Sequence, residues 1–228
     1  MSRMVVRELR LPLSERDVRE LIMGDMVYVS GTVYTMRDSG YVRTLQLTEE
    51  KKELPFNVRN GAVWHAGPIV KKKNTGWEIL SVGSTTSSRF TSPGSEVIRK
   101  LGVRVIIGKG SMGREAVEAM KMHAASYFAT TGGAAAYYAQ QIKEVVAVHW
   151  LDLGMPAAIW ALKVERLGPL LVGIDSHGRS LYEALKKEVD KRMLDIYSDL
   201  GIDPARDYVW WPKRIPGLAW TEQNSKSR

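Results

Sequence analysis

Cysteine is absent from all 228 residues. That excludes disulfides and a cysteine nucleophile, and it excludes an iron–sulfur cluster held on this chain by the usual thiolates. Long hydrophobic runs are missing too. No apolar stretch approaches the roughly 18 residues that a membrane span needs. Met1 to Arg10 alternates charged and apolar residues without a signal-peptide core, so a cytoplasmic protein is expected. Histidine is scarce. His65, His123, His149 and His177 stand far apart, with neither i,i+4 nor HExxH spacing. Each reads as structural, and no metal is expected on this chain.

What is present is an ordinary globular composition, 44% hydrophobic and 25% charged, enough for one domain with a short appendage. Lys and Arg outnumber Asp and Glu by 33 to 25. Such an excess suits nucleic acid, an acidic partner or an anionic substrate. The basic residues are dispersed, however, and Lys71-Lys72-Lys73-Asn74 reads as a hairpin tip. Most of the charge is therefore a solvated surface, and a nucleic-acid-binding module is the remote alternative.

Ser14 followed by Glu15 and Asp17 marks a helix start. Met26 to Met36 alternates at period two, as a strand or a bent pair broken at Gly31. Strands are expected over 62–70 and 77–82, then a helix over 94–101. Val103 to Ile107 is a continuous apolar run, the mark of a strand buried on both faces. It leads through Gly108-Lys109-Gly110-Ser111-Met112-Gly113 into a helix ending near Ala124. A strand at 127–129, an Ala-rich helix to about Lys143 and strands at 145–148, 159–164 and 169–174 follow, then a helix over 180–200. Strands, then strand–helix alternation, then strands again imply a mixed α/β layered domain rather than a doubly wound sheet. The expected domain is 1–190, with 191–228 holding the helix end and a tail bearing Trp210, Trp211 and Trp220; Asn224 to Arg228 are expected to be disordered.

Gly108, Gly110 and Gly113 satisfy GxGxxG between a strand and a helix. The acidic residue that a dinucleotide site wants about 20 positions later is missing. What remains is Lys109 on a glycine-flanked turn before a helix N-terminus, either an anion site or a surface lysine. Thr85-Thr86-Ser87-Ser88-Arg89 offers hydroxyls beside an arginine. These could bind a carboxylate or form a capping loop. Arg37, next to Asp38, closes the first long strand as a second arginine candidate or as a surface ion pair.

Six segments in order, covering roughly residues 11 to 186, resemble the β chain of the class I iron–sulfur fumarase and L-tartrate dehydratase family. They are Ser30-Gly31-Thr32 to Arg37-Asp38, His65-Ala66-Gly67-Pro68-Ile69-Val70, Val82 to Arg89, Gly108 to Met112, Val148-His149-Trp150 to Pro156, and Ile174-Asp175-Ser176-His177-Gly178. Two positions depart from the family pattern: Ser84 replaces a frequent proline, and Ser111 a frequent glycine. The resemblance implies a swivelling β/β/α domain like the mobile domain of aconitase. It implies an α subunit, in an α2β2 assembly, whose cysteines hold a 4Fe–4S cluster with one open iron acting as Lewis acid. It implies a small dicarboxylate substrate, fumarate as the first expectation and L-tartrate as the alternative. Arg37, Arg89 and Lys109 are then substrate-binding cations, and Thr85 with Lys109 the catalytic residues, Thr85 matching the family threonine proposed as base.

Overall fold

A computed structural model describes residues 5–203. The tryptophan-bearing tail and the terminal residues expected to be disordered lie outside the described residues. The chain divides into two compact units, Met1–Ala184 and Leu185–Arg228.

The first unit runs β1 (Val6–Arg10), α1 (Glu15–Arg19), β2 (Met26–Thr35), α2 (Asp38–Glu49), β3 (Ala62–Trp64), β4 (Ala66–Lys72), β5 (Trp77–Ser84), α3 (Thr91–Leu101), β6 (Val105–Gly108), α4 (Arg114–His123), β7 (Ser126–Ala129), α5 (Ala135–Gln140), β8 (Ile142–His149) and β9 (Ile159–Ile174). The main sheet has the order β1-β2-β3-β6-β7-β9-β8, and β9 also pairs with β2. Strands β2, β3, β6, β7 and β9 therefore form a closed five-stranded ring. The sheet is mixed, as the element order implies: β2, β3, β6 and β7 run parallel, and β9 runs antiparallel to β2, β7 and β8. Strands β4 and β5 form a separate hairpin.

Side-chain alternation explains why these strands are apolar throughout. Ala62, Trp64, Val105, Ile107 and Phe128 join one buried cluster with Val27, Val33, Trp160 and Leu162. Their neighbours Val63, Ile106 and Tyr127 join a second cluster with Val97 and Ile98 of α3 and Ala116 and Met120 of α4. Successive residues of a strand point to opposite faces, so a strand between two cores needs apolar residues at every position.

Three sequence expectations differ from what forms. The strand expected over 62–70 breaks at His65, whose backbone leaves β3 for the β4–β5 hairpin. The two strands expected at 159–164 and 169–174 are one, passing through Gly168, where a Cβ would lie 2.8 Å from Val27 O. The Ala-rich helix stops at Gln140, because the chain must enter β8 at Ile142. Helix α2 and strand β1 carried no sequence expectation.

In the second unit the described residues continue helix α6 (Leu181–Asp199) to a turn at Gly201. Its surface carries i,i+4 ion pairs, Lys186 with Asp190 and Arg192 with Glu188. Among the described residues no helix is long and apolar enough to cross a membrane.

Candidate functional site

The four parallel strands of the ring deliver their carboxyl ends to one rim, where ligands gather in open α/β sheets as well. Arg37 lies two residues past β2 and caps α2; Asp38 opens that helix with a φ of +27°. Arg37 Nε donates to Asp38 Oδ2 at 2.8 Å, and Arg89 Nη2 donates to Asp38 Oδ1 at 2.7 Å. One carboxylate thus holds both guanidiniums, more than the single ion pair suggested by adjacency. The Arg37 head lies against Gly67, where a Cβ would sit 2.9 Å from Nη1 and 3.0 Å from Pro156 O. The arginine side chains keep 26% and 56% of their surface exposed, enough to meet a ligand.

The loop after β5 crosses the ends of β3 and β6. Thr85 N donates to His65 O at 2.6 Å, Ser87 N to Lys109 O at 2.9 Å, and Lys109 N to Thr85 O at 3.4 Å. Thr86 pairs with Lys109 as an isolated parallel bridge. Thr85 and Lys109 are therefore backbone neighbours, although 24 positions separate them in sequence. Arg89 sits in the single 3-10 turn that follows, Ser87–Phe90. Lys109 is half-buried and makes no ion pair among the described residues. All four residues singled out in the sequence lie on this rim.

Beneath it runs a chain of buried polar side chains that sequence reasoning missed. Tyr41 OH lies 2.7 Å from His65 Nε2, Ser87 Oγ lies 2.9 Å from His65 Nδ1, and Tyr127 OH donates to Ser87 Oγ at 3.1 Å. A neutral imidazole serves both neighbours, one nitrogen donating and the other accepting. Burial holds the His65 pKa down to about 3 and raises those of both tyrosines. Only the His-Ala-Gly-Pro and Ser-Ser-Arg segments hinted at this chain; Tyr41 and Tyr127 had no signal.

The depressed His65 pKa has a stability consequence. Below about pH 6.5 the unfolded chain takes up a proton that the folded chain refuses. The contribution is fully present above the unfolded value and is lost as pH falls from about 6.5 towards 3. Between pH 7.5 and 5.5, wild type should lose about 1 kcal/mol more stability than His65→Gln. Urea unfolding of both proteins checks this, since shared carboxylates cancel in the difference; equal losses would show that His65 titrates normally.

Two motifs serve structure. Asp175 of the Asp-Ser-His-Gly segment follows β9, which ends at the opposite rim, and it accepts from Met23 N at 2.9 Å and Arg179 Nε at 2.7 Å. The GxGxxG loop is filled by protein: Ser87 packs on Gly108, and Gly113 N donates to Thr91 Oγ1 at 2.9 Å. Among the described residues no group of three His, Asp or Glu could hold a metal.

A family model described as "Fumarase C-terminus" matches residues 2–185. The chain belongs to this family. A protein named "Putative L(+)-tartrate dehydratase subunit beta" from Methanocaldococcus jannaschii is 39% identical over 185 residues, 81% of this chain and 95% of the relative. The "L(+)-tartrate dehydratase subunit beta" of Escherichia coli K12 is 37% identical over 192 residues, 84% and 94% of the two chains. A Geobacillus stearothermophilus protein named "Putative fumarate hydratase class I" is 36% identical over 180 residues, which are 78% of this chain but 34% of that longer relative. The whole rim of this fumarase C-terminal family member falls inside the matched residues.

Proposed function

We propose that the chain is the β subunit of an iron–sulfur hydro-lyase that takes water from a four-carbon hydroxydicarboxylate, L-tartrate being the first substrate and the malate–fumarate pair the second reading. The expectation of fumarate gives way because the two relatives matched over nearly their full length carry the tartrate dehydratase name. Fumarate stays as second reading on the strength of the fumarate hydratase relative. The observation that carries the proposal is the meeting of two guanidiniums, one ammonium and one hydroxyl on a single rim.

These residue types suit the chemistry. Dehydration takes a hydroxyl from one carbon and a proton from its neighbour, and a carboxylate gathers charge as the proton leaves. Fixed cations lower that barrier. Arg37 and Arg89 hold carboxylates by planar forks that Asp38 keeps in register, and Lys109 supplies a point charge. Thr85, held beside Lys109 as the alkoxide, takes the C–H proton and becomes the hydroxyl, while the substrate hydroxyl leaves the neighbouring carbon as hydroxide. The rim offers no thiolate, so a 4Fe–4S cluster does not fit here. It belongs to the α partner of the proposed α2β2 assembly, and residues 1–190 act as the swivelling domain that carries the rim to it.

Co-expression with a cysteine-bearing α subunit should yield a complex that dehydrates L-tartrate, fumarate hydration being measured alongside. In that complex Arg89→Lys should lower kcat/KM by more than about tenfold, since charge remains while the fork is lost. An unchanged kcat/KM would return Arg89 to a surface ion pair. Turnover by the β chain alone would sink the two-subunit reading.

A further inference from the structure

We propose that the buried His65–Ser87 pair is the positioning element of this site, fixing Thr85 against Lys109 and tying both to the arginine clamp. The inference rests on the hydro-lyase reading above and goes beyond it by assigning a role to residues that touch no substrate.

His65 and Ser87 bracket Thr85 on both sides. The His65 carbonyl receives the Thr85 N–H, and Ser87, two residues on, donates its own N–H to the Lys109 carbonyl. The side chains of these same two residues then bond each other at 2.9 Å. The loop is therefore pinned by main chain above and side chain below, with Thr85 at the middle. The far nitrogen of His65 meets Tyr41, which stands on the first turn of α2, its N–H bonded to Arg37 O at 3.2 Å. One imidazole thus joins the Thr85–Lys109 half of the rim to the Arg37–Asp38–Arg89 half.

A core that needed only stability would not spend four polar side chains here. A buried donor or acceptor left unpaired costs about 1–3 kcal/mol, whereas apolar groups of matching shape carry no such risk. A satisfied polar network fixes one arrangement, and near-attack geometry needs that, since a 1 Å misplacement can cost about a hundredfold in rate. His65 and Ser87 are both wholly buried, and position 108 admits no Cβ beside them. The pair has no room for a second arrangement.

The test uses the assembled αβ enzyme and two amide substitutions. The Asn amide reaches the place of Nδ1 and can serve Ser87; the Gln amide reaches that of Nε2 and can serve Tyr41. Both variants should lose similar thermal stability. His65→Asn keeps the Ser87 bond and loses only the tie to the arginine clamp, so it should keep kcat within about threefold of wild type while raising KM. His65→Gln and Ser87→Ala should instead lower kcat by about tenfold or more with KM moved far less. Tyr127→Phe, which removes a single hydroxyl, gives a milder version of the same split if Ser87→Ala folds poorly. Activity losses that follow melting temperature equally in the Asn and Gln variants would overturn the inference, as would a Tyr127→Phe or Ser87→Ala enzyme of full kcat. In either case wild-type turnover of tartrate or fumarate leaves the hydro-lyase reading standing. A wild-type complex that turns over neither removes that reading and this inference together.

Discussion

Thr85→Ala is expected to lower kcat by about 10²- to 10⁴-fold, the usual worth of a positioned general base, while substrate affinity and folding survive. Folding should survive because the residue's fixed contacts are main-chain ones: its N–H to His65 O and its carbonyl from Lys109 N. The Thr85 hydroxyl makes no hydrogen bond among the described residues, so its loss orphans nothing. A free hydroxyl is a weak base and serves only where cations lower its pKa. Lys109, whose backbone neighbours that of Thr85 and which makes no ion pair among the described residues, is the cation proposed for this. Thr85→Ser should retain part of the turnover. The decisive measurement is exchange of the substrate C–H proton in deuterated water. Exchange continuing in Thr85→Ala at the wild-type rate would locate the base elsewhere, on the α subunit.

The largest stability effect should come from Gly108→Ala. This glycine has an ordinary φ, so strain is not the reason for it. The reason is space: a Cβ there would fall well inside contact distance of Ser87 Oγ and 3.3 Å from the His65 ring. Ser87 cannot swing aside without breaking its bonds to His65 and Tyr127. A loss of about 3 kcal/mol or more is expected, at the upper end of overpacking costs. Gly110 is the opposite case. Its φ is +72°, and the nearest atom to an added Cβ is Thr86 Cγ2 at 3.6 Å. Gly110→Ala should cost only the left-handed penalty of about 1 kcal/mol. Denaturant unfolding of the two variants checks the ranking, and equal losses would mean that Ser87 is not held as described.

The rim was largely legible in the sequence. Arg37, Thr85 and Lys109 follow strand ends and Arg89 lies in the 3-10 turn beyond β5, beside glycine, hydroxyl or acid. Local pattern left each open between an anion site and a surface or capping role, and the family resemblance joined them. The polar chain under the rim was not legible, because Tyr41 and Tyr127 sit in apolar stretches and meet His65 and Ser87 only through tertiary packing. Strand periodicity likewise found Val103 to Ile107 but could not reveal that β9 returns to β2. Ring closure is a pairing between residues more than 120 positions apart, Tyr34 with Ala161 and Met26 with Leu171. No local pattern encodes it. The Asp-Ser-His-Gly segment, one of the six that carry the family resemblance, closes a turn at the far rim.

The carboxylate shared by Arg37 and Arg89 also sets the electrostatic balance of the rim. Three cations, Arg37, Arg89 and Lys109, less the one anion Asp38 leave a charge of +2, equal and opposite to a dicarboxylate. A dianion that settles there forms a nearly neutral complex. Attraction at a distance hastens its arrival, weakening with ionic strength as the screening length shortens to about 8 Å at physiological salt. Without Asp38 the rim would hold +3, and a product of the same charge as the substrate would leave more slowly. On the proposed hydro-lyase reading, the bridging aspartate trades some grip for release.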